Sequence, residues 1–284
     1  MKKYFLLFTP PIVVVACKRI AHTLRQIKLR ANRPEINNYN DDSLTEMVVK
    51  KNSIFRDELK KNKTIDLTAI RTVLGVCIAG LESSGRTINV LDLGGGGGFH
   101  YFIARSVLPG DLHVNWHVVE TESMVRSAGI LANEELKFFS SIHGASKGIE
   151  QFDILFASSS FQYFSDQTEL IDQLLTMQSK AIYVTRTPFS SSEPVVGEKQ
   201  VSLFSANGPG PLPDGYQDKL IEYPIYIMRL NEFIQRFSDR YDIRFKVREE
   251  TAGFTINGRS YDNYGIYFTL KEQPAAFPGR SDSQ

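Results

Sequence analysis

Short apolar runs alternate with amphipathic segments from residue 88 onward. The apolar runs predict strands at 88–93, 113–120, 136–141, 152–158 and 181–187. The segments between them predict helices at 98–108, 123–133 and 167–177. Repeated strand–helix units of this length indicate a parallel sheet covered by helices on both faces. A helix at about 229–240 and two turn-separated strands, 241–247 and 263–271, follow.

Two helical segments precede the first strand. The apolar spacing predicts helices near 42–60 and 66–80, and either Asp42 or Ser43 is the expected N-cap of the first. Cys77 lies among apolar residues of the second helix, so we expect it to be a small core residue.

The chain divides into three parts by composition. We expect residues 1–82 to form a basic, amphipathic N-terminal segment whose helices pack on a core domain at 83–272. Residues 188–224 are rich in Ser, Pro and Gly, which predicts a long loop that caps the site. The last residues, 273–284, read as a flexible tail.

The first 34 residues carry eight Lys or Arg and no acid. Their apolar run, 4–17, is shorter than the roughly 20 residues that a spanning helix needs. A cleaved signal peptide is one interpretation, although Pro10 and Pro11 would break its helix. The spacing in 18–30 favours an amphipathic helix that packs on the core or rests on an anionic membrane surface. We expect a cytoplasmic protein, with residues 1–33 as a peripheral contact to the inner face of the membrane.

Composition and charge exclude several other classes. The 284 residues are 42% hydrophobic and 23% charged, with a formal net charge of +1. This balance gives no chain-wide basic field, so no nucleic-acid partner is expected. Two cysteines without a Cys/His cluster predict neither a disulfide framework nor a zinc site, and we expect no bound metal.

Five consecutive glycines follow the first predicted strand in "VLDLGGGGGFHYFIA", residues 90–104. A run of glycines loses more conformational entropy on folding than other residues do. Close approach of a ligand to the main chain is a physical reason for such a run. Ligands of doubly wound sheets bind at the carboxyl ends of strands, where a helix N-terminus favours a negative group. The glycine run therefore predicts the ligand site.

The spacing of the run distinguishes between cofactors. A nicotinamide fingerprint needs a small residue at the third glycine position, but every register puts a bulky side chain there. No Gly-Lys-Ser/Thr follows, so a phosphate-binding P-loop is also excluded. The run does fit Asp92-x-Gly94-x-Gly96-x-Gly98, which resembles the first motif of class I S-adenosylmethionine (SAM) methyltransferases. That resemblance implies a Rossmann-like fold, SAM as the cofactor, and Asp92 with the glycines, Gly95 included, around its methionine part.

A second acid, Glu120, ends the second predicted strand. A carboxylate there can accept hydrogen bonds from both ribose hydroxyls of a nucleotide, so we expect Glu120 to bind the cofactor. Glu122 is the alternative if the strand ends two residues later.

The segment "FDILFASSSFQYFSD", residues 152–166, is similar to the fourth-strand motif of the same family. The likeness implies that Ser158, Ser159, Gln162 and Tyr163 line the region around the sulfonium and the acceptor, and we expect Ser158 and Gln162 to bind the cofactor. "WHVVE", "FQYF" and "TRTPF" together resemble methyltransferases encoded in bacterial surface-polysaccharide gene clusters. That resemblance covers roughly residues 85–270.

Three residues are candidates for the chemistry. His100 lies at the start of the helix after the glycines, and Tyr163 follows the fourth strand. Arg186 lies at the end of the fifth strand, where its guanidinium group could bind a phosphate or carboxylate of the acceptor. His143 and Asp166 are weaker candidates near strand ends.

The resemblance implies a SAM-dependent methyltransferase that acts on a hydroxyl of a small molecule or glycan in surface-polysaccharide biosynthesis. A nucleotide- or lipid-linked sugar would be the acceptor. Two alternatives stay open, a non-catalytic scaffold of a glycan-synthesis complex and a nicotinamide-dependent sugar-nucleotide oxidoreductase.

Overall fold

The computed structural model describes Ile36 and residues 38–83 and 85–272. The predictions for the basic segment 1–33 and for the tail 273–284 lie outside these residues. Within them the chain forms one large sheet, a separate two-stranded hairpin, and apolar cores on both faces of the sheet.

The seven predicted strands form in the predicted order along the chain, and two further strands lie between the fifth and sixth of them. Their bounds are β1 Thr87–Leu93, β2 His113–Val119, β3 Leu136–Phe139, β4 Ile154–Ser158, β5 Ala181–Phe189, β6 Val195–Leu203, β7 Leu220–Ile227, β8 Tyr241–Ile256 and β9 Arg259–Leu270. Seven of them form the central sheet in the order β3-β2-β1-β4-β5-β9-β8. β1 to β5 are parallel, and β9 is antiparallel to both β5 and β8.

This arrangement confirms the predicted fold class. It is a Rossmann-like, doubly wound α/β sheet, mostly parallel, with a terminal antiparallel hairpin and N-terminal helices. The strand order reverses between β1 and β4, so the carboxyl ends of these two strands flank a topological switch point.

Helices cover both faces of the sheet. Their bounds are α1 Asp42–Asn62, α2 Leu67–Glu82, α3 Phe99–Val107, α4 Glu122–Ala128, α5 Ile142–Ser146, α6 Gln167–Thr176 and α7 Leu230–Phe237. α1 to α4 contribute to one apolar core and α5 to α7 to the other. α2 packs so closely on β5 that a Cβ at Gly75 would collide with the ring of Tyr183.

The N-terminal helices begin at aspartates. Asp41 caps α1 by accepting from the N–H of Leu44 at 3.1 Å, so the prediction of Asp42 or Ser43 as the cap is wrong by one or two residues. The side chain of Asp42 instead accepts from Ser123 and Arg126 of α4, which ties the start of α1 to the start of α4.

The segment 188–224 is not one long loop, and that prediction is wrong. β6 and β7 pair as an antiparallel hairpin, and one 3₁₀ turn, Phe204–Ala206, follows β6. β6 is polar because most of its residues are exposed or half-buried. Its composition therefore resembles that of a loop although its backbone is extended. Whether this hairpin caps a ligand stays a prediction.

Within the described residues, no single helix is long and apolar enough to cross a membrane. α1 and α2 meet such a length and composition test only when taken together, across a bend of 91°.

Candidate functional site

The glycine run forms a tight loop between β1 and α3. Gly94, Gly96 and Gly98 take φ values of 72°, 57° and 87°, the left-handed region that favours glycine. Gly94 extends the parallel ladder by donating to the carbonyl of Val119 at 2.9 Å, and Gly98 donates to Gly95 at 3.1 Å. The loop thus delivers the chain to the N-terminus of α3, whose first N–H groups have no partner within the helix.

Most of these glycines are required by the protein's own packing. A Cβ at Gly94 would collide with Ser160, one at Gly95 with the carboxylate of Asp92, and one at Gly98 with Leu136. Gly96 differs, because the nearest atom to its Cβ position is a Val48 methyl at 3.9 Å. Only at Gly96, among these four, does the missing side chain leave space above the loop.

Asp92 lies fully buried beneath the loop. One of its oxygens, Oδ2, accepts from Trp116 Nε1 at 3.1 Å and lies 3.3 Å from His100 Nδ1. His100 is 6% exposed and packs edge-on against Phe156. The geometry gives His100 a structural partner in Asp92, while its predicted catalytic role stays untested.

Glu120 reaches back from the end of β2 to the glycine loop. Its Oε1 accepts from the N–H of Gly96 at 3.0 Å, and its Oε2 accepts from the N–H of Thr121 at 3.0 Å. Burial raises the pKa of this carboxyl, and the two N–H groups oppose that rise. Glu122 is exposed at the start of α4, so Glu120 is the acid that touches the loop.

Four buried oxygens around the loop have no hydrogen-bond partner among the described residues. They are Asn52 Oδ1, Asp92 Oδ1, Ser158 Oγ and Gln162 Oε1. Buried polar atoms are normally paired, so a group of four acceptors points to a ligand that donates hydrogen bonds. A sulfonium amino acid with its ammonium group and ribose hydroxyls is such a donor.

Asn52 was not predicted from the sequence. It lies on α1, 1% exposed, donates to the carbonyl of Val48 at 2.8 Å, and lies where a Cβ at Gly97 would point. A buried Asn within an amphipathic helix is a visible signal, but its proximity to the loop depends on how α1 docks.

Tyr163 packs in a cluster of three tyrosines below the hairpin. Its ring lies 5.1 Å from that of Tyr39 and 5.2 Å from that of Tyr223 on β7. Burial raises its pKa well above the usual value, so the phenol stays protonated at neutral pH. A catalytic role for Tyr163 stays a prediction.

The ends of β4 and β5 carry two non-glycine residues in left-handed backbone. Ser159 has φ 54° and Arg186 has φ 53°. The N–H of Ser159 donates to the carbonyl of Thr185 at 3.0 Å, so the two positions are adjacent. Such conformations cost energy and cluster at functional sites.

The weaker sequence candidates lie elsewhere. Asp166 caps α6 by accepting from the N–H of Glu169 at 2.8 Å, and His143 is exposed on α5. Cys77 is half-buried on α2, and burial raises the pKa of its thiol. The described residues contain no group of three His, Cys, Asp or Glu that could hold a metal ion.

No protein-family model and no curated protein sequence matches this chain. Solved structures similar to it include an S-adenosylmethionine-dependent methyltransferase from Clostridium acetobutylicum, at 12% identity and a TM-score of 0.45. That match covers 78% of this chain and 99% of that one. Magnesium protoporphyrin IX methyltransferase from Synechocystis with bound SAM matches at 10% identity and a TM-score of 0.43, over 78% and 97% of the two chains.

Proposed function

We propose that this protein is a SAM-dependent methyltransferase. The observation that carries the proposal is the joining of the glycine loop to Glu120 through the Gly96 N–H, at the carboxyl ends of β1 and β2. The switch point of a doubly wound sheet is where such folds bind nucleotides, and the loop has the spacing of the SAM motif rather than that of a dinucleotide motif.

The residues present fit this cofactor. Gly96 leaves room for close approach to the backbone, and Glu120 keeps acceptor capacity on both oxygens for the ribose hydroxyls. The unpartnered oxygens of Asn52, Ser158 and Gln162 would accept from the cofactor's donors. SAM would supply an electrophilic methyl group on its sulfonium.

The acceptor would lie over the ends of β4 and β5. The chain must hold an oxygen in line with the methyl group and exclude water, since orientation is a large part of catalysis in such displacements. Tyr163 and Arg186 border this region, and the hairpin of β6 and β7 lies over Tyr163. A small-molecule or glycan hydroxyl is the proposed acceptor.

A role in surface-polysaccharide biosynthesis, on the cytoplasmic side of the membrane, completes the proposal. It rests on the likeness of "WHVVE", "FQYF" and "TRTPF" to methyltransferases of such gene clusters. The acceptor would then be a nucleotide- or lipid-linked sugar.

Calorimetric titration of the full chain with SAM, S-adenosylhomocysteine and NAD tests the proposal. We expect both sulfur compounds to bind and NAD not to bind. Binding of NAD alone would favour an oxidoreductase. Absence of binding for all three would overturn the enzyme assignment and favour the scaffold alternative.

A further inference from the structure

Two arginines near the ends of the central strands lack an internal partner. Arg71 lies on α2 and Arg186 on β5, and both are half-buried. Among the described residues, neither guanidinium group forms a hydrogen bond or an ion pair, and Nε of Arg71 is fully buried. Tyr183 links Arg71 to this region. Its hydroxyl donates to the Arg71 carbonyl at 3.3 Å and also lies, with Oε1 of Glu249, beside Gly265. Burial lowers the pKa of Arg186, the charge of Glu249 opposes the lowering, and the charge of Arg71 adds to it.

Glu249 extends toward β5 from β8, the strand at the edge of the sheet. It lies on β8, yet its Oε1 accepts from the hydroxyl of Thr185 at 2.5 Å and from the N–H of Arg186 at 3.1 Å on β5. The carboxylate crosses the intervening strand β9 at Gly265, where a Cβ would lie 3.2 Å from Oε1. The missing side chain of Gly265 is what lets the acid reach the end of β5.

Two further buried oxygens of this region lack a hydrogen-bond donor among the described residues. Glu249 is 5% exposed and its Oε2 has no partner among the described residues. The Oδ1 of Asn263, directly opposite Glu249 in the β8–β9 register, has none either. Buried acceptors without donors cost free energy. The hydroxyl groups of a ligand would supply the missing donors.

The charges of the pocket do not balance. This region holds two half-buried arginines and one buried carboxylate, which leaves one positive charge without a negative partner. Partial burial makes an uncompensated charge costly, and a guanidinium group is well suited to bind a carboxylate or phosphate with two parallel hydrogen bonds.

We propose that Arg71, Arg186, Glu249 and Asn263, here called the arginine pocket, bind an acceptor that carries both an oxyanion and hydroxyl groups. The arginines hold the carboxylate or phosphate, and Glu249 and Asn263 accept from neighbouring hydroxyls. The proposal rests on the proposed methyltransferase function, because it makes the arginine pocket the acceptor subsite. An acidic sugar or a sugar phosphate has this chemistry.

The position of the pocket suits that role. Arg186 lies at the end of β5 beside Ser159, because the N–H of Ser159 donates to the carbonyl of the residue that precedes Arg186. Ser159 begins the segment that leads from β4 to Tyr163. Ser158 and Gln162, which flank this point on the β4 side, belong to the proposed cofactor site. An acceptor anchored in the arginine pocket therefore lies next to the bound cofactor.

Calorimetry on the full chain, with and without S-adenosylhomocysteine, tests the pocket with three probes. Glucose 1-phosphate, glucuronate and glucose present a phosphate, a carboxylate and no charge. We expect at least one anion to bind and glucose not to bind, and the better anion identifies the group recognised. Binding of glucose equal to that of the anions, or no binding of either anion, would overturn the proposal.

Variants assign the effect to residues. Arg71→Gln and Arg186→Gln should each weaken anion binding by about tenfold to a hundredfold, as expected for a lost charged hydrogen bond. The affinity for S-adenosylhomocysteine should stay unchanged, and the unfolding midpoint should not fall, because the variants remove a costly partly buried charge. Arg259→Gln, at an exposed arginine of β9, is the matched control and should bind as wild type. Wild-type anion affinity in both Arg71→Gln and Arg186→Gln would overturn the pocket.

Glu249→Gln gives a readout of opposite sign. The amide oxygen can still accept from Arg186, but the competing negative charge is gone, so anion affinity should rise severalfold. A fall in anion affinity would contradict the assigned charge balance. Arg71→Lys and Arg186→Lys keep the charge and should keep part of the binding, which separates recognition from misfolding. If S-adenosylhomocysteine fails to bind the wild type, the methyltransferase function and the acceptor role both fall, whereas anion failure alone overturns only the pocket.

Discussion

Glu120 accepts a hydrogen bond from the backbone N–H of Gly96 at 3.0 Å, which joins the end of β2 to the loop at the end of β1. The same carboxylate is the one proposed to bind the ribose. We expect Glu120→Ala to weaken SAM binding by about tenfold or more, because a charged acceptor of two hydroxyl groups is lost. Calorimetric titration with SAM measures the change.

Glu122→Ala is the matched control for this variant. Glu122 is exposed at the start of α4, two residues along the chain, so its removal should leave SAM affinity at the wild-type value. Equal SAM affinities in Glu120→Ala and the wild type would show that Glu120 does not bind the cofactor.

Gly95 and Gly96 should respond differently to the same substitution. Gly96→Ala adds a methyl group where the loop is open, so SAM binding should fall, with a left-handed backbone cost of about 1–2 kcal/mol. Gly95→Ala drives a Cβ into the carboxylate of Asp92, the partner of Trp116.

Trp116 is the only tryptophan of the chain, so its fluorescence reports on the core beneath the loop. Gly95→Ala should change the Trp116 emission and lower the unfolding midpoint, while Gly96→Ala should leave the emission as it is. Loss of SAM binding in Gly95→Ala without any change in emission would contradict this division between the two glycines.

The sequence was sufficient to predict the order of the strands and the glycine loop, because both follow from local patterns. Alternation of apolar runs and helical spacing located β1 to β5, and glycine spacing located the loop. The turn of the β8–β9 hairpin had a local sequence signal too, the pair Asn257 and Gly258. Both residues take positive φ, as a two-residue turn requires. The predicted strands, 241–247 and 263–271, nevertheless stop well short of this turn, because polar residues mark strand ends poorly.

The rest could not be predicted because it depends on contacts between distant segments. Glu249 and Thr185 lie on strands that do not pair with each other, and they meet only because Gly265 lets the acid cross the strand between them. Asn52 reaches the glycine loop only through the docking of α1. The hairpin of β6 and β7 was not predicted for a different reason. Most residues of β6 are exposed or half-buried, so the strand lacks the alternation of apolar and polar residues that predicts a strand.

His117 should make the stability depend on pH. Burial lowers its pKa, and its Nδ1 lies 2.6 Å from the carbonyl of Ala145. A histidine whose pKa is depressed in the folded state binds fewer protons there than in the unfolded chain. Its stability contribution is therefore complete above the ordinary histidine pKa and is lost as the pH falls below it, by at most about 1.4 kcal/mol per pH unit.

His117→Asn isolates this effect, because its amide can still donate to Ala145 but does not titrate. Urea unfolding between pH 5 and about 7.5 should show a smaller slope of stability with pH in this variant. His143→Asn, at an exposed histidine, is the control and should keep the wild-type slope. A wild-type slope in His117→Asn would show that another group causes the dependence.

Lys51 should hold the turn after β6 against α1. Its side chain is 2% exposed and Nζ donates to the carbonyls of Ser205 and Asn207 at 2.9 and 2.7 Å. Lys51→Met fills similar space but leaves both carbonyls without a donor, so the free energy of unfolding should fall by about 1–3 kcal/mol. Limited proteolysis should then cleave faster within 204–219, whereas Lys50→Met, at the exposed neighbour, should change neither rate nor stability. Unchanged cleavage in Lys51→Met would mean that other contacts hold this turn.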